Sequence, residues 1–244
     1  MLTRLLALAA AVFLLGSSFA SADEASVRKA FSQKFPKATV QSVTKLPYLG
    51  LYEIVVEGEV LYADDKFDYL IDGSIISTKN MSNLTEQRKH KLSAIPFDEL
   101  PLELAFKKVK GNGERKLAVF SDPDCPFCKR VENDLAKLDN VTIYMFLFPI
   151  DSLHPKAPEM SKKIWCSPDK VKAWDDYMQR GTIPASDSSC QNPVDKIVEY
   201  GRKKGINATP TLVFPNGDRV PGAVSAAQME SLLSGKESKD SKEN

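Results

Sequence analysis

Apolar and polar positions along this chain follow two periods. Val27, Ala30, Phe31 and Phe35 recur at helical spacing, and Pro36 closes that helix. Four short β-forming runs follow: Leu51–Glu57 (LYEIVVE), Val60–Ala63 (VLYA), Phe67–Ile71 (FDYLI) and Ile75–Thr78 (IIST). Gly58-Glu59 is read as the first turn between them. Asp72-Gly73 between two apolar runs is a strong hairpin signal. Residues 23–80 therefore predict a small α+β unit, one helix on an antiparallel meander, with two sheet edges to protect or to pair.

The pattern then changes. In residues 81–104, Asn83 and Glu86 have the spacing of a helix N-cap and its third residue, and Leu84–Leu92 is polar and helix-permissive. Ile95-Pro96 ends that helix. Pro101 among Leu100, Leu102 and Leu104 predicts an extended connector. Residues 105–235 predict a larger α/β domain. Ala105–Val109 and Lys116–Phe120 flank the turn Gly111-Asn112-Gly113, and Leu117–Phe120 (LAVF) has the look of a buried strand. A helix carrying Val131, Leu135 and Leu138 on one face leads to Val141–Phe148 (VTIYMFLF), the nearly continuous apolar run of an interior strand. This is a βαβ unit. Residues 152–205 are mainly helical and broken by prolines. Thr211–Phe214 is a strand, Asp218–Val220 its return, and Ser225 with Gln228 begins a last helix. Residues 236–244 are polar, charged and predicted to be disordered.

The N-terminus changes how this is read. A basic start at Arg4 precedes a 12-residue apolar run, Leu5–Gly16, and Ala20-Ser21-Ala22 has the small-residue form of a cleavage site. Residues 1–22 are read as a secretory signal peptide cut after Ala22; the run is short for a membrane span. Its removal takes away one arginine and no acid. The formal net charge of +1 on 244 residues then becomes zero, which argues against a nucleic-acid partner bound through a basic face. Export also sets a disulfide-permissive context for the four cysteines.

Candidate chemistry centres on Asp124-Cys125-Pro126-Phe127-Cys128, at the junction of the first strand and first helix of the βαβ unit. At a helix start, free N–H groups and the helix dipole favour a thiolate at Cys125. Cys128, one turn in, is expected to be more buried. Cys125 then exchanges with a substrate disulfide and Cys128 resolves the mixed disulfide. Pro126 suits the first helical turn. Phe127 adds bulk and no charge, where a histidine would stabilise a thiolate, so the couple is expected to be less oxidising than a C-P-H-C site. Three other readings stand beside this one: a purely structural C-x-x-C disulfide, a zinc site built from all four cysteines, and copper handling. Cys166 and Cys190 most simply pair as a structural disulfide; a second redox couple is the alternative. His90 and His154 are remote in sequence from the cysteines and are read as surface residues, and Trp165 and Trp174 as packing residues. No metal or other cofactor is expected. Pro210, directly before a strand, marks Ala208-Thr209-Pro210-Thr211 as a second part of the site: in C-x-x-C folds of the thioredoxin kind a cis-proline faces the cysteines.

These features together resemble the DsbC/DsbG family of periplasmic thiol–disulfide isomerases. The most specific stretches are Lys163–Cys166 (KIWC), Ala173–Tyr177 (AWDDY) and Thr209–Gly222 (TPTLVFPNGDRVPG). The resemblance implies a cystatin-like α+β dimerisation domain over residues 23–80, a linker helix, and an α/β thioredoxin-like domain with a helical insert. It implies a V-shaped homodimer whose cleft holds misfolded, disulfide-containing exported proteins. It implies a DsbD-type membrane reductant that keeps the dithiol reduced. It maps Cys125 to the nucleophile, Cys128 to the resolving cysteine, and Thr209-Pro210 to the cis-proline loop that binds substrate. Pro126-Phe127 is nearer to the DsbG branch, while the Cys166/Cys190 pair follows the DsbC branch. Isomerisation of wrong disulfides is the leading expectation. Reduction of sulfenylated cysteines, net thiol oxidation and a redox-inert secreted chaperone are the alternatives.

Overall fold

The computed structural model describes residues 19–235, the first five by backbone alone. The expected signal peptide, apart from its last residues, and the expected tail lie outside the described residues. Contacts divide the chain between Lys89 and His90 into two units.

In the first unit, α1 (Phe19–Lys34) packs on an antiparallel sheet of order β1-β2-β3-β4, formed by Val40–Lys45, Tyr52–Val56, Glu59–Ala63 and Leu70–Ile71. Val27 and Phe31, one turn apart on α1, meet Val43, Tyr52, Ile54, Val56 and Ala63 in the core. The β2–β3 turn is Glu57-Gly58, one residue earlier than Gly58-Glu59. Both residues have positive φ, 54° and 88°, the conformation that twists two strands into a tight hairpin and that glycine adopts without penalty. Strand β1 is additional: in VQSVTK only Val43 is buried, so its apolar pattern is faint. The Asp72-Gly73 hairpin does not form. Ile76–Ser77 (β5) pairs instead with Ser82–Asn83 (β6). Ile75 donates its N–H to Thr85 Oγ1 (2.9 Å) and accepts from Leu84 N–H (2.9 Å), so its backbone is satisfied by the start of the next helix. That helix, α2 (Leu84–Ser93), is capped by Asn83, whose Oδ1 accepts from Glu86 N–H at 3.0 Å.

The second unit is a five-stranded sheet of order β11-β10-β8-β9-β7. Its central strands, β8 (Arg115–Ser121) and β9 (Val141–Leu147), run parallel and are joined by α3 (Pro126–Leu135). Leu117 and Val119 pack in one core and Ala118 and Phe120 in the other, which is why LAVF reads as continuous apolar sequence. Strand β7 (Phe106–Lys110) pairs with β9 and not with β8, although only residues 111–114 separate it from β8. The turn is held across the sheet: Asn112 N–H donates to Asn140 Oδ1 at 3.1 Å, and a Cβ on Gly111 would collide with that same oxygen. On the opposite side, β10 (Thr211–Val213) pairs antiparallel with β8 and with β11 (Arg219–Pro221). Residues 95–104 do not run as a free extended connector. Ile95, Phe97 and Leu100 are buried against Phe120, Tyr144 and Phe146, and Ile95 N–H donates to Gly217 O at 2.9 Å.

Helices α4 (Ala157–Cys166), α5 (Lys170–Arg180) and α6 (Val194–Lys203) form the helical insert, and α7 (Ala226–Leu233), with its capping box from Ser225 and Gln228, follows β11. Trp174 is fully buried and donates Nε1–H to Glu132 on α3 at 2.9 Å; Glu132 also pairs with Lys108. Cys166 and Cys190 form a disulfide that closes a loop of 24 residues. Constraint of the unfolded chain by a loop of this length is worth about 3 kcal/mol in the loop-entropy model. The double variant Cys166→Ala/Cys190→Ala is therefore expected to melt roughly 6–12 °C lower. An unchanged melting temperature in calorimetry would assign the disulfide no stabilising role. Among the described residues no helix is long and apolar enough to cross a membrane.

Candidate active site

Strand β8 ends at Ser121, and the turn Asp122-Pro123-Asp124 delivers Cys125 to the N-cap of α3. Cys125 has extended φ/ψ (−75°, 123°), its N–H donates to Asp122 O at 3.2 Å, and its carbonyl accepts from Lys129 N–H at 3.1 Å. Pro126 occupies the first helical turn, where its missing N–H leaves nothing unpaired. Cys128 is completely buried, and its Sγ accepts from Asp122 N–H at 3.4 Å. Both thiols are free.

The register of β10 brings the second part of the site. Thr211 lies opposite Phe120, so Thr209 and Pro210 come alongside the exit of β8. The Thr209–Pro210 bond is cis, and the Cys125 thiol donates to Thr209 O at 3.4 Å. Thr209 and Pro210 are both buried. Phe127 is 56% exposed, with the Arg130 guanidinium over its ring.

The two cysteines differ in acidity. A hydrogen bond from the Cys128 thiol, with the backbone N–H groups of Cys128 and Phe127, pulls the Cys125 thiol down to about 5 against the opposing effect of burial. Burial, and then its role as donor to Cys125, pushes the Cys128 thiol up. One sulfur is thus set to ionise and the other to keep its proton.

Two further residues enter the site that the sequence pattern does not mark. His154 is no remote surface residue: its Nδ1 lies 2.9 Å from Oδ2 of the fully buried Asp122. The parallel ladder explains this. Ser121 pairs with Leu147, so the segments leaving β8 and β9 emerge side by side, at the strand ends where α/β sheets place their sites. The hydrogen bond to Asp122 holds His154 protonated above its ordinary range. Tyr177, in the AWDDY stretch of α5, donates to Asp124 Oδ1 at 2.6 Å; burial first, and that hydrogen bond second, raise its hydroxyl to about 12. Among the described residues no group of three His, Cys, Asp or Glu side chains is arranged to hold a metal ion. His90 lies on α2 and is not part of this constellation.

Known proteins share both units. Residues 18–86 match the family described as the disulfide bond isomerase protein N-terminal domain, and residues 102–235 match the thioredoxin-like domain family. A probable thiol:disulfide interchange protein DsbC of Bordetella pertussis is 40% identical over 207 residues, covering 85% of this chain and 73% of that protein. The thiol:disulfide interchange protein DsbC of Salmonella typhimurium is 30% identical over 233 residues, covering 93% and 92%. The crystal structure of a disulfide interchange protein from Neisseria gonorrhoeae is 47% identical, with a TM-score of 0.54 over 56% of this chain and 98% of that one. With an isomerase N-terminal domain and a thioredoxin-like domain in succession, and with identity that runs through both, the chain belongs to the DsbC family of thiol:disulfide interchange enzymes.

Proposed function

We propose that this enzyme rearranges incorrect disulfides in exported proteins, in the periplasm, after cleavage of its leader behind Ala22. The observation that carries the reading is a pair of free thiols at one helix start, Cys125 at the N-cap with the Thr209 carbonyl 3.4 Å from its sulfur and Cys128 fully buried one turn on. The Cys125 thiolate attacks a client disulfide; one client sulfur bonds to Cys125 and the other leaves as thiolate. That client thiolate attacks elsewhere in the client, and a client thiolate finally expels Cys125 with the client's disulfides reshuffled. When this stalls, Cys128 gives up its proton and attacks Cys125 Sγ. The client leaves reduced and the enzyme holds a Cys125–Cys128 disulfide, which a DsbD-type membrane reductant returns to dithiol.

Thr209 and Pro210 form the platform on which an extended client segment lies by strand addition. Pro126 and Phe127 tune the couple. Residues 23–80 bring two copies together as a homodimer.

Refolding of a client with scrambled disulfides tests the reading. The full-length dithiol enzyme is expected to restore client activity in catalytic amounts, and Cys125-alkylated enzyme is expected to do nothing beyond the buffer. Equal yields from both would make this a chaperone without redox function. In cells, a dithiol that is mainly oxidised at steady state would replace isomerisation with net oxidation.

A further inference from the structure

Asp122 is the hub of the active-site turn. Its carbonyl accepts from Cys125 N–H, and its N–H donates to Cys128 Sγ. Its carboxylate accepts from Asp124 N–H (2.8 Å), from Ile150 N–H (2.8 Å) and from His154. The side chain of Asp122 is fully buried, while that of His154 is 22% exposed. His154 is held on its own side by the turn after β9, where its N–H donates to Ile150 O at 2.8 Å.

The charges around Cys125 pose a problem that this geometry answers. Asp122 and Asp124, on the turn before it, both oppose a thiolate. The cations on α3 lie over aromatic rings beside the site, Arg130 over Phe127 and Lys129 over Tyr177. Tyr177 on α5 donates to Asp124 and stays neutral, and the Thr209-Pro210 loop brings no charge. Asp151 and Lys156 are the other charged residues of the turn that carries His154. His154 is left as the ionisable cation anchored at the turn, bonded to the carboxylate of the residue whose backbone bonds both cysteines.

We propose that His154, anchored on Asp122, supplies the counter-charge for the Cys125 thiolate that the Pro126-Phe127 dipeptide lacks, and that loss of its proton makes the redox couple pH-dependent. His154 is a positioning and tuning residue: it touches Asp122 and acts on Cys125 through space. In the overall exchange the enzyme's thiolate and thiol, with a client disulfide, give the enzyme disulfide, one client thiol and one client thiolate. Two electrons pass to the client, and the proton of Cys128 leaves with it. The imidazolium stabilises only the thiolate side of this exchange. The sign follows: the stabilisation is present while His154 is protonated and is lost as pH rises through its raised titration midpoint. The inference rests on Cys125 being the reactive thiolate.

The test equilibrates full-length wild type and His154→Gln with glutathione at pH 6 and pH 9. Glutamine keeps a donor for Asp122 and carries no charge. The variant is expected to be oxidised about three- to five-fold more readily at pH 6, equivalent to a coupling of about half a unit to one unit, with the gap closing at pH 9. A gap of the same size at both pH values, or none, overturns the proposal. A second measurement needs no variant beyond signal assignment. By reciprocity, the His154 ring in wild type must titrate at higher pH in the dithiol than in the disulfide form by NMR; equal midpoints overturn the proposal. Iodoacetamide alkylation of wild type at pH 6 separates the two levels of the argument. Slow alkylation of Cys125, as for an ordinary thiol, would remove the reading of Cys125 itself. Fast alkylation with flat His154 results would remove only the tuning role.

Discussion

Cys125→Ser is expected to lose both reductase and isomerase activity, and Cys128→Ser is expected to accumulate client mixed disulfides on Cys125. The acidity of the pair explains the difference. With its thiol pulled down to about 5, Cys125 is almost wholly thiolate at pH 7, whereas an ordinary cysteine near 8.5 is about 3% ionised, a gain of about 30-fold. Nucleophilicity falls with basicity, with a coefficient of about 0.4–0.5, so a drop of about 3.5 units loses about 25- to 55-fold. The two effects nearly cancel. What remains is leaving-group quality: a sulfur this acidic is readily expelled from a mixed disulfide. That property serves a shuffling enzyme, because each cycle ends when a client thiolate expels Cys125. Cys128 is fully buried and held in its protonated form, and in the proposed cycle it acts only when the client has stalled. Non-reducing electrophoresis of each variant with a scrambled client checks the assignment. Equal trapping by both single variants would reverse it. Cys128→Ala, which also removes the leading hydrogen bond to Cys125, is expected to raise the pH at which Cys125 is alkylated.

Legibility in the sequence depends on how local each determinant is. Cys125-Pro126-Phe127-Cys128 at a strand-to-helix junction carries its chemistry in four residues, because the N-cap, the Pro126 turn and the strand before them are contiguous. The LAVF and VTIYMFLF runs announce a buried parallel pair because both faces of β8 and β9 are covered. His154 has no such signature. It reaches Asp122 only because Ser121 and Leu147 are in register, a fact set by the sheet and not by the 31 intervening positions. Strand β1 was hidden for a related reason: an edge strand with one buried residue is held by its backbone ladder with β2. Asp72-Gly73 is the converse case, a strong local turn signal overruled by Thr85. The buried Thr85 hydroxyl accepts from Ile75 N–H and bonds Tyr62 Oη at 2.5 Å. Residues 95–104 read as a connector because Pro96 and Pro101 interrupt their periodicity, yet Ile95, Phe97 and Leu100 complete the core beside Phe120.

That last contact decides how the N-terminal unit should be removed. A chain beginning at residue 105 would strip Ile95, Phe97 and Leu100 from the Phe120 core; one beginning at His90 keeps them. The His90 chain is expected to be monomeric, to retain dithiol reductase activity, and to lose most isomerase activity. The basis lies in the first unit. Its sheet ends at β4, a strand of two residues, where Tyr69 is 74%, Leu70 40% and Ile71 44% exposed. Apolar side chains on an open strand edge are an invitation to pair with a second copy. Reduction needs the Cys125–Cys128 pair and one encounter. Isomerisation needs the client held through several exchanges, and a second linked binding surface raises its local concentration to the order of millimolar. Losing that surface should therefore lower isomerase turnover at least about tenfold while leaving single-encounter reduction near wild type. Ile71→Lys in the full chain makes the same test without deletion, since a lysine on the edge opposes strand pairing. Sedimentation velocity reads the association state, and refolding of a scrambled client reads the activity. A dimeric His90 chain would place the interface in the thioredoxin-like unit, and an Ile71→Lys protein that stays dimeric with full isomerase activity would move it away from β4.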